Sequence, residues 1–512
     1  MKVPLTVGDF LDRAALVYGD RIGVVDEPDQ PAASLGEITY RRMNELARAQ
    51  AAALDELGIG EGARIAIVSH NAARLLIGLF GVSAFGRILV PVNFRLNAEE
   101  VAYIVEHSGA EVLLVDPELD EVLADVTAKH RFVLGAESDE VLYRFDVEPR
   151  PWMEPDEDAT ATINYTSGTT ARPKGVQLTH RNIWINAAIF GWHVGVNDRD
   201  VYLHTLPMFH CNGWGMPYAL TGMGAKQVVL RKVDGAEILR RVEQHGVTVW
   251  NGAPAVANAI LDAAATWDGE IPGRGRVRCI IAGAPPPTRT IERIETELGW
   301  QFNQIYGLTE TTPLLTVNRP RAEYDDLSPL ERAAKLSRAG SPAIGVQLTV
   351  DDKGEVLART SHVMDGYWEQ PEATADAIAD GWFHTGDGGM LDDENYLCIA
   401  DRKKDVIISG GENVSSIEVE DCLFSHPAVA EVAVIGVPDE KWGETVKALV
   451  VLTDGMQVTE DELIGYSRDK LAHYKCPTSI EFRGELARTT TGKLQKFKLR
   501  APYWEGRERQ VG

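Results

Sequence analysis

Between positions 165 and 175 the chain collects four aliphatic hydroxyls (Thr166, Ser167, Thr169, Thr170), two glycines (Gly168, Gly175), Pro173 and two cations (Arg172, Lys174). The residues before it, 159–164, are short and β-branched and predict a strand. Those after it, from Thr179 through Phe190, start on an N-cap and carry apolar residues at helical spacing. A hydroxyl- and glycine-rich loop between strand and helix has the makings of a phosphate cradle. Gly168 admits close backbone approach, hydroxyls and amides face the oxygens, and Lys174 neutralises charge. The run is not a Walker A loop, because Lys174 precedes Gly175 where that pattern needs Gly-Lys-Ser/Thr. A surface linker is the bland alternative, and Pro-Lys-Gly leading toward a helix argues against it.

Other stretches carry residue types suited to a site around that loop. After an apolar run at 202–207, Met208-Phe209-His210-Cys211-Asn212-Gly213-Trp214 puts an imidazole, an amide and a large ring where a strand ends; a packed aromatic cluster accounts for this composition equally well. Gly283-Ala284-Pro285-Pro286-Pro287 follows a short strand, and open α/β sheets bind ligands at such C-terminal ends. In Tyr306-Gly307-Leu308-Thr309-Glu310, a ring can stack on a base and a hard carboxylate oxygen suits Mg²⁺. Asp387, after Thr385-Gly386, reads as a turn aspartate able to accept from a diol. Asp401-Arg402-Lys403-Lys404-Asp405 is either a solvated face or a charged contact, and Gly410-Gly411 reads as a tight turn.

The pattern Thr-Ser-Gly-Thr-Thr-x-x-Pro-Lys-Gly at 166–175 resembles the signature loop of the adenylate-forming enzymes: acyl-CoA synthetases, firefly-type luciferases and peptide-synthetase adenylation domains. Six motifs run in the family's order from about residue 10 to 500. The resemblance implies an α/β fold, with a large N-terminal region of doubly wound mixed sheets (1–401) and a small mobile C-terminal α+β domain (402–512). It implies ATP, Mg²⁺ and coenzyme A. Thr166, Ser167, Gly168, Thr169, Thr170 and Lys174 then hold phosphates, with Thr169 and Glu310 facing the metal. Gly283 and Ala284 lie against adenine, Tyr306, Gly307 and Thr309 meet the nucleotide, and Asp387 and Arg402 bind ribose. Lys404 is the hinge, Gly410 and Gly411 approach the pantetheine, and Lys493 corresponds to the essential lysine. His210 borders the acyl pocket, and Trp214 takes the place of a residue that can gate a fatty-acid tunnel. The implied reaction activates a carboxylic acid, expected to be a medium- to long-chain fatty acid, and passes it to coenzyme A. The same motifs suit a free-standing enzyme that loads a carrier protein; a luciferase-type oxygenase and a non-catalytic nucleotide sensor are weaker readings. Two departures stand out: Ala487 occupies a position where proline is usual, and Ala171-Arg172 fill the variable cradle positions less typically. Neither removes a reacting group.

The elements that must position these residues are legible in outline. A chain of 512 residues exceeds a single core. Its 44% hydrophobic and 25% charged content is that of an ordinary globular protein, and a net charge of -25 argues against a nucleic-acid surface. Five scattered cysteines without CxxC spacing suggest reduced thiols, and the N-terminus has no apolar leader, so a cytoplasmic enzyme is expected, compatible with a homodimer. The apolar run 75–90 is interrupted by glycines and Arg87 and is too short to span a bilayer. Helices are predicted over 39–57, 73–85 and 97–108, with strands at 64–68, 89–92 and 111–115. This βαβα order argues a doubly wound layer. Residues 149–158 read as an exposed connector. Ser328-Pro329-Leu330-Glu331 opens a helix inside a polar insert. Ser415 and Thr459 cap helices of the tail, with strands at 429–437 and 445–452.

Overall fold

The computed structural model describes residues 1–166, 172–402, 405–409, 412–439, 442–488 and 494–505, with the backbone alone at Arg402 and Asn413. Two large mixed sheets dominate it. The nine-stranded sheet has parallel strands Gln301–Gly307, Arg278–Ile281, Val249–Gly252, Val201–His204, Lys226–Val229 and Ile22–Val25 side by side, with antiparallel strands at both edges. The seven-stranded sheet runs Gly366–Tyr367, Lys174–Thr179, Thr160–Thr166, Ile88–Val92, Arg64–Val68, Ala110–Val115, His130–Val133. Its last five strands are parallel and its first two are antiparallel additions. The fold class read from the sequence therefore stands.

Burial on both faces explains why the parallel strands read as unbroken apolar runs. In Arg64–Val68, Ile65 and Ile67 enter the core shared by the two sheets, while Ala66 and Val68 enter a second core on the outer face. Helices Tyr40–Glu56, Ala73–Gly81, His180–Val194 and Met216–Met223 fill the space between the sheets, contributing Met43, Leu79, Phe190 and Leu220. Their ends are set locally. Thr39 accepts from the Arg42 amide, and Asn97, Thr179, Ser328 and Thr459 each close a reciprocal capping box. Each cap contributes about 1 kcal/mol.

A third, antiparallel sheet contains Glu355–Arg359, Trp382–Leu391 and Leu397–Arg402. Beyond residue 405 the strands Ile407–Ser409, Glu412–Val414, Val429–Asp439, Gly443–Leu452 and Ser479–Phe482 form a separate sheet. One of its faces packs on helices Ser416–Phe424 and Glu460–Arg468 through Val419, Leu423, Val434 and Leu463. The other packs Ile435, Leu449 and Leu486 on Leu499 of the helix Lys496–Arg500.

Several expectations need correction. The cradle does not run directly into a helix: Lys174–Thr179 is a strand antiparallel to Thr160–Thr166, so the loop joins two paired strands, and the helix capped by Thr179 follows the second of them. Val176 and Leu178 alternate inward with period two, the pattern of a strand. Helix 73–85 stops at Gly81 and resumes as a 3₁₀ turn, Ser83–Phe85. The strand at 202–207 ends at His204. The exposed connector holds one buried acid, Glu157, which accepts from the Leu5 amide and pairs with Arg181. Among the described residues no helix is long and apolar enough to cross a membrane.

Candidate functional site

The C-terminal ends of parallel strands from both large sheets converge on one region. Thr160–Thr166 ends at the cradle, Arg278–Ile281 leads to the Gly283 turn, and Gln301–Gly307 ends before Thr309. Four described site residues are joined in two pairs, one directly and one through a neighbour. The Tyr306 hydroxyl donates to Asp387 Oδ2 at 2.8 Å, joining motifs 81 positions apart. The Tyr367 hydroxyl donates to Glu310 Oε1 at 3.0 Å, and the Lys174 amine stands 4.6 Å from the centre of the Tyr367 ring. That places the cradle's lysine and the motif's glutamate on either side of one phenol. Burial, then the charge of Glu310, pushes the Tyr367 phenol far above its ordinary range, so it stays a hydrogen-bond donor at any neutral pH.

Tyr367 was not found by reading motifs. It belongs to a two-residue strand paired with Val176 of the cradle hairpin, and only that pairing brings it to the site. Asp387 likewise is not a turn residue. It lies within the long strand Trp382–Leu391, buried, opposite Arg402 in the neighbouring strand. Its carboxylate is therefore fixed by a sheet, a stiffer mount than a turn.

Two glycines have reasons that the sequence hid. A Cβ at Gly307 would fall 1.5 Å from the Pro313 carbonyl oxygen, so the chain's own packing demands glycine there whatever its place toward the nucleotide. Gly283 has open space around it but φ of +88°, so backbone conformation is the requirement. Ala284 is half-buried beside it. Thr309 is buried in a 3₁₀ turn, Thr309–Thr311, and Thr166 is half-buried opposite Lys174 in the hairpin.

His210 is half-buried at the start of an unusual turn. Cys211, Asn212, Gly213, Trp214 and Gly215 have successive φ values of 45°, 52°, 61°, 61° and 79°, a left-handed turn of five residues. Such geometry costs each non-glycine residue about 1–2 kcal/mol. Side chains from two other elements hold it. Asn164 Nδ2 donates to Asn212 Oδ1 at 3.1 Å, Asn212 Nδ2 to Thr162 Oγ1 at 2.9 Å, and Asn186 Nδ2 to the Trp214 carbonyl at 3.2 Å. Thr162 and Asn164 lie on the strand that ends at the cradle, so cradle and turn form one unit. The turn drives Trp214 into the shared core, where it is 4% exposed, in the same cluster as Met208, Met216 and Tyr218. Burial, then the charge of Glu310, pushes the neighbouring Cys211 thiol far up, leaving it an inert packing group. Nothing in the sequence signalled the left-handed run.

Ser167, Gly168, Thr169, Thr170, Lys404, Gly410, Gly411 and Lys493 lie outside the described residues, as does the Arg402 side chain. Among the described residues no cluster of three or more His, Cys, Asp or Glu could hold a metal by itself. Glu310 is thus a single carboxylate. That donor set fits Mg²⁺, which is commonly bound by one or two carboxylates plus phosphate oxygens and water, and does not fit a closed protein cage.

Known proteins resemble this chain over almost its whole length. The profile of the AMP-binding enzymes fits residues 11–368, and that of the AMP-binding enzyme C-terminal domain fits 418–493. A 2-methylpropanoate–CoA ligase of Humulus lupulus is 38% identical, over 97% of this chain and 95% of its own. A 4-hydroxybutyrate–CoA ligase of Metallosphaera sedula is 37% identical, over 96% and 93%. The crystal structure of an anthranilate CoA ligase in complex with anthranoyl-AMP superposes with a TM-score of 0.87 at 26% identity, covering 98% of this chain and 99% of the other.

Proposed function

The chain belongs to the AMP-binding enzyme family and is an acid–thiol ligase of the adenylate-forming, acyl-CoA synthetase type, and from that premise we propose that it acts on a short carboxylic acid. The acid is joined to AMP with loss of pyrophosphate and then passed to coenzyme A.

The first step needs no base, since a carboxylic acid of pKa about 4 is ionised at neutral pH. Its oxygen attacks the α-phosphorus of ATP while the bond to the β-phosphate breaks. Both partners are anions, so catalysis consists of positioning and charge neutralisation. Lys174 and the hydroxyls of the cradle bind the β- and γ-phosphates, and Lys493 bridges the carboxylate and the α-phosphate. Glu310 and Thr169 would hold Mg²⁺, which supplies further neutralisation on the phosphate oxygens. Tyr367 keeps the Glu310 carboxylate aimed. Asp387, backed by Tyr306 and joined by Arg402, receives the ribose hydroxyls, and the Gly283–Ala284 turn lies along adenine. In the second step the coenzyme A sulfur attacks the acyl carbonyl and the bond to AMP breaks. We place the domain boundary at 401/402 and the hinge at Lys404, with Gly410 and Gly411 beside the pantetheine once the small domain has turned.

Asp387→Ala removes the paired acceptor for the ribose diol. The loss of charged hydrogen bonds of about 1.5–3 kcal/mol is expected to lower kcat/KM for ATP roughly ten- to hundredfold. Saturation kinetics in ATP check this. An unchanged value would remove Asp387 from the nucleotide site.

The short-chain reading rests on one observation, the burial of Trp214 within the core shared by the two large sheets. The relatives named for 2-methylpropanoate and 4-hydroxybutyrate support it. A medium- or long-chain acid, expected from the sequence, would require the ring to leave the core. The test is pyrophosphate release over straight, branched and hydroxylated acids of rising length, plus benzoate. Short acids are expected to give the highest kcat/KM. In Trp214→Gly the optimum moves to longer acids, with octanoate gaining roughly tenfold or more, each added methylene being worth about 0.8 kcal/mol. Glycine suits this position because φ there is +61°. A wild-type optimum at octanoate or beyond would sink the short-chain reading.

A further inference from the structure

The small domain's helix Ser416–Phe424 is fastened to the large domain at two separate points, each by a carboxylate taking two hydrogen bonds. At its N-terminus, Asp401 reaches across the expected hinge. Asp401 Oδ2 accepts from the Ser416 amide at 2.6 Å, and Oδ1 from the Ser416 hydroxyl at 2.9 Å. The Ser416 amide is one of the donors that a helix start leaves without a partner inside the helix, and an anion there is favoured by the helix dipole. Asp401 thus caps this helix from outside its own domain. Ser415 adds a hydroxyl bond to the Ala400 carbonyl at 2.6 Å. Further along the helix, Asp421 Oδ1 accepts from the Thr288 amide at 2.9 Å and Oδ2 from the Thr288 hydroxyl at 3.1 Å. Thr288 directly follows the 283–287 turn.

The charges beneath the helix show which member is made to leave. Lys496 pairs with Glu420 at 2.7 Å, bonds the Ser416 hydroxyl and stands 3.9 Å from Asp401. Glu420 is further held by the Val434 amide at 2.7 Å. One ammonium therefore serves two buried carboxylates, and burial pushes both acids up. Glu420 and Lys496 both belong to the small domain and form a balanced pair without Asp401. A rotation about Lys404 would carry Asp401 away with the large domain and leave that pair intact.

The fastened face is also defined. Helix Ser416–Phe424 covers one side of the small sheet, and the edge strand Glu412–Val414 of that sheet runs directly into it. Arg488 and Leu494, which flank the Lys493 loop and bridge to each other, precede the helix packed on the opposite side, where Ala487, Leu494 and Leu499 meet. Fastening the helix to Asp401 and Thr288 therefore sets the helix-covered face of the sheet, with the edge strand that leads into the helix, against the large domain, and leaves the face carrying Leu494 and Leu499 on the other side.

We propose that Asp401 and Asp421 act together as a two-point latch that holds the small domain in its thioester-forming arrangement, positioning residues that set the balance between the two half-reactions. The proposal rests on the two-step reading above and on Lys404 as the hinge. It is tested with Asp401→Asn and Asp421→Ala, the first isosteric and the second half-exposed, so that both keep the fold. The first readout is hydrogen exchange in the ligand-free enzyme. Asp401→Asn is expected to raise exchange at least threefold at the Thr288 amide, which Asp401 does not touch, and Asp421→Ala to do the same at the Ser416 amide. The second readout separates the half-reactions. Thioester formation from supplied acyl-adenylate should fall roughly tenfold, with pyrophosphate exchange kept within about twofold, a shift of about 1.4 kcal/mol in the domain equilibrium. Exchange confined to each variant's own contact would mean two independent bonds and no latch. Selective loss of adenylation would assign the latch to the other arrangement and overturn the proposal. If the wild type exchanged no pyrophosphate with any acid, the enzymatic reading would fail, while the exchange at Thr288 would still decide whether the two points act as one.

Discussion

Lys493→Ala is expected to lower acyl-adenylate formation roughly hundred- to thousandfold, the scale for removing one preorganised charged donor from a developing phosphoryl transition state. The reason is electrostatic. Two anions must meet, and in the proposed reaction Lys174, together with Glu310 and the Mg²⁺ it would hold, would attend to the β- and γ-phosphates, leaving the α-phosphate and the acid oxygen to Lys493. Thioester formation from supplied acyl-adenylate involves no such encounter, because the acyl carbonyl is neutral and AMP is a good leaving group. That half-reaction is therefore expected to stay within a fewfold of wild type. Pyrophosphate exchange measures the first step and single-turnover transfer from acyl-adenylate the second. Equal loss of both would contradict the division of labour, because a lysine needed equally for transfer could not be one that withdraws.

Lys404→Pro is the complementary expectation. Proline holds φ at about −65°, so a residue whose φ must change for the small domain to turn can no longer do so. Adenylation is expected to survive within about twofold and thioester formation to fall roughly hundredfold, the second step then depending on an arrangement that the fixed dihedral penalises by about 3 kcal/mol. The pair forms a test in which each variant protects the step that the other destroys. Normal overall turnover in Lys404→Pro would remove the hinge from this position. The latch residues give a third pattern: weakening Asp401 loosens one arrangement without forbidding it, so its effect should be smaller than that of proline and should appear in hydrogen exchange as well as in rates.

Much of this enzyme was legible because its signals are local. The capping boxes at Asn97, Thr179, Ser328 and Thr459 each depend on residues three positions apart, and each helix starts where its cap says. The strand Arg64–Val68 announced itself as an apolar run because both of its faces are buried. Tyr306, Glu310 and Asp387 could be nominated from their motifs, since the reacting groups a nucleotide needs are few and their spacing along each loop is short.

What the sequence determined by itself was the family, the α/β class and most element starts, together with the candidate reacting side chains, because these follow from residue type and from neighbours within one or two turns. Only the tertiary structure decided that the cradle joins two antiparallel strands, that Asp387 rides on a strand and not a turn, and that Tyr367 contacts both Lys174 and Glu310. It also decided the left-handed turn at 211–215 and the cross-domain caps at Ser416 and Thr288. Each of these depends on strand pairing or on a side chain more than ten positions away. Pairing energy is shared among residues distant in the chain, so no local pattern can carry it. A strained turn survives only because asparagines from two other elements hold it, a compensation that no window of sequence around Trp214 contains.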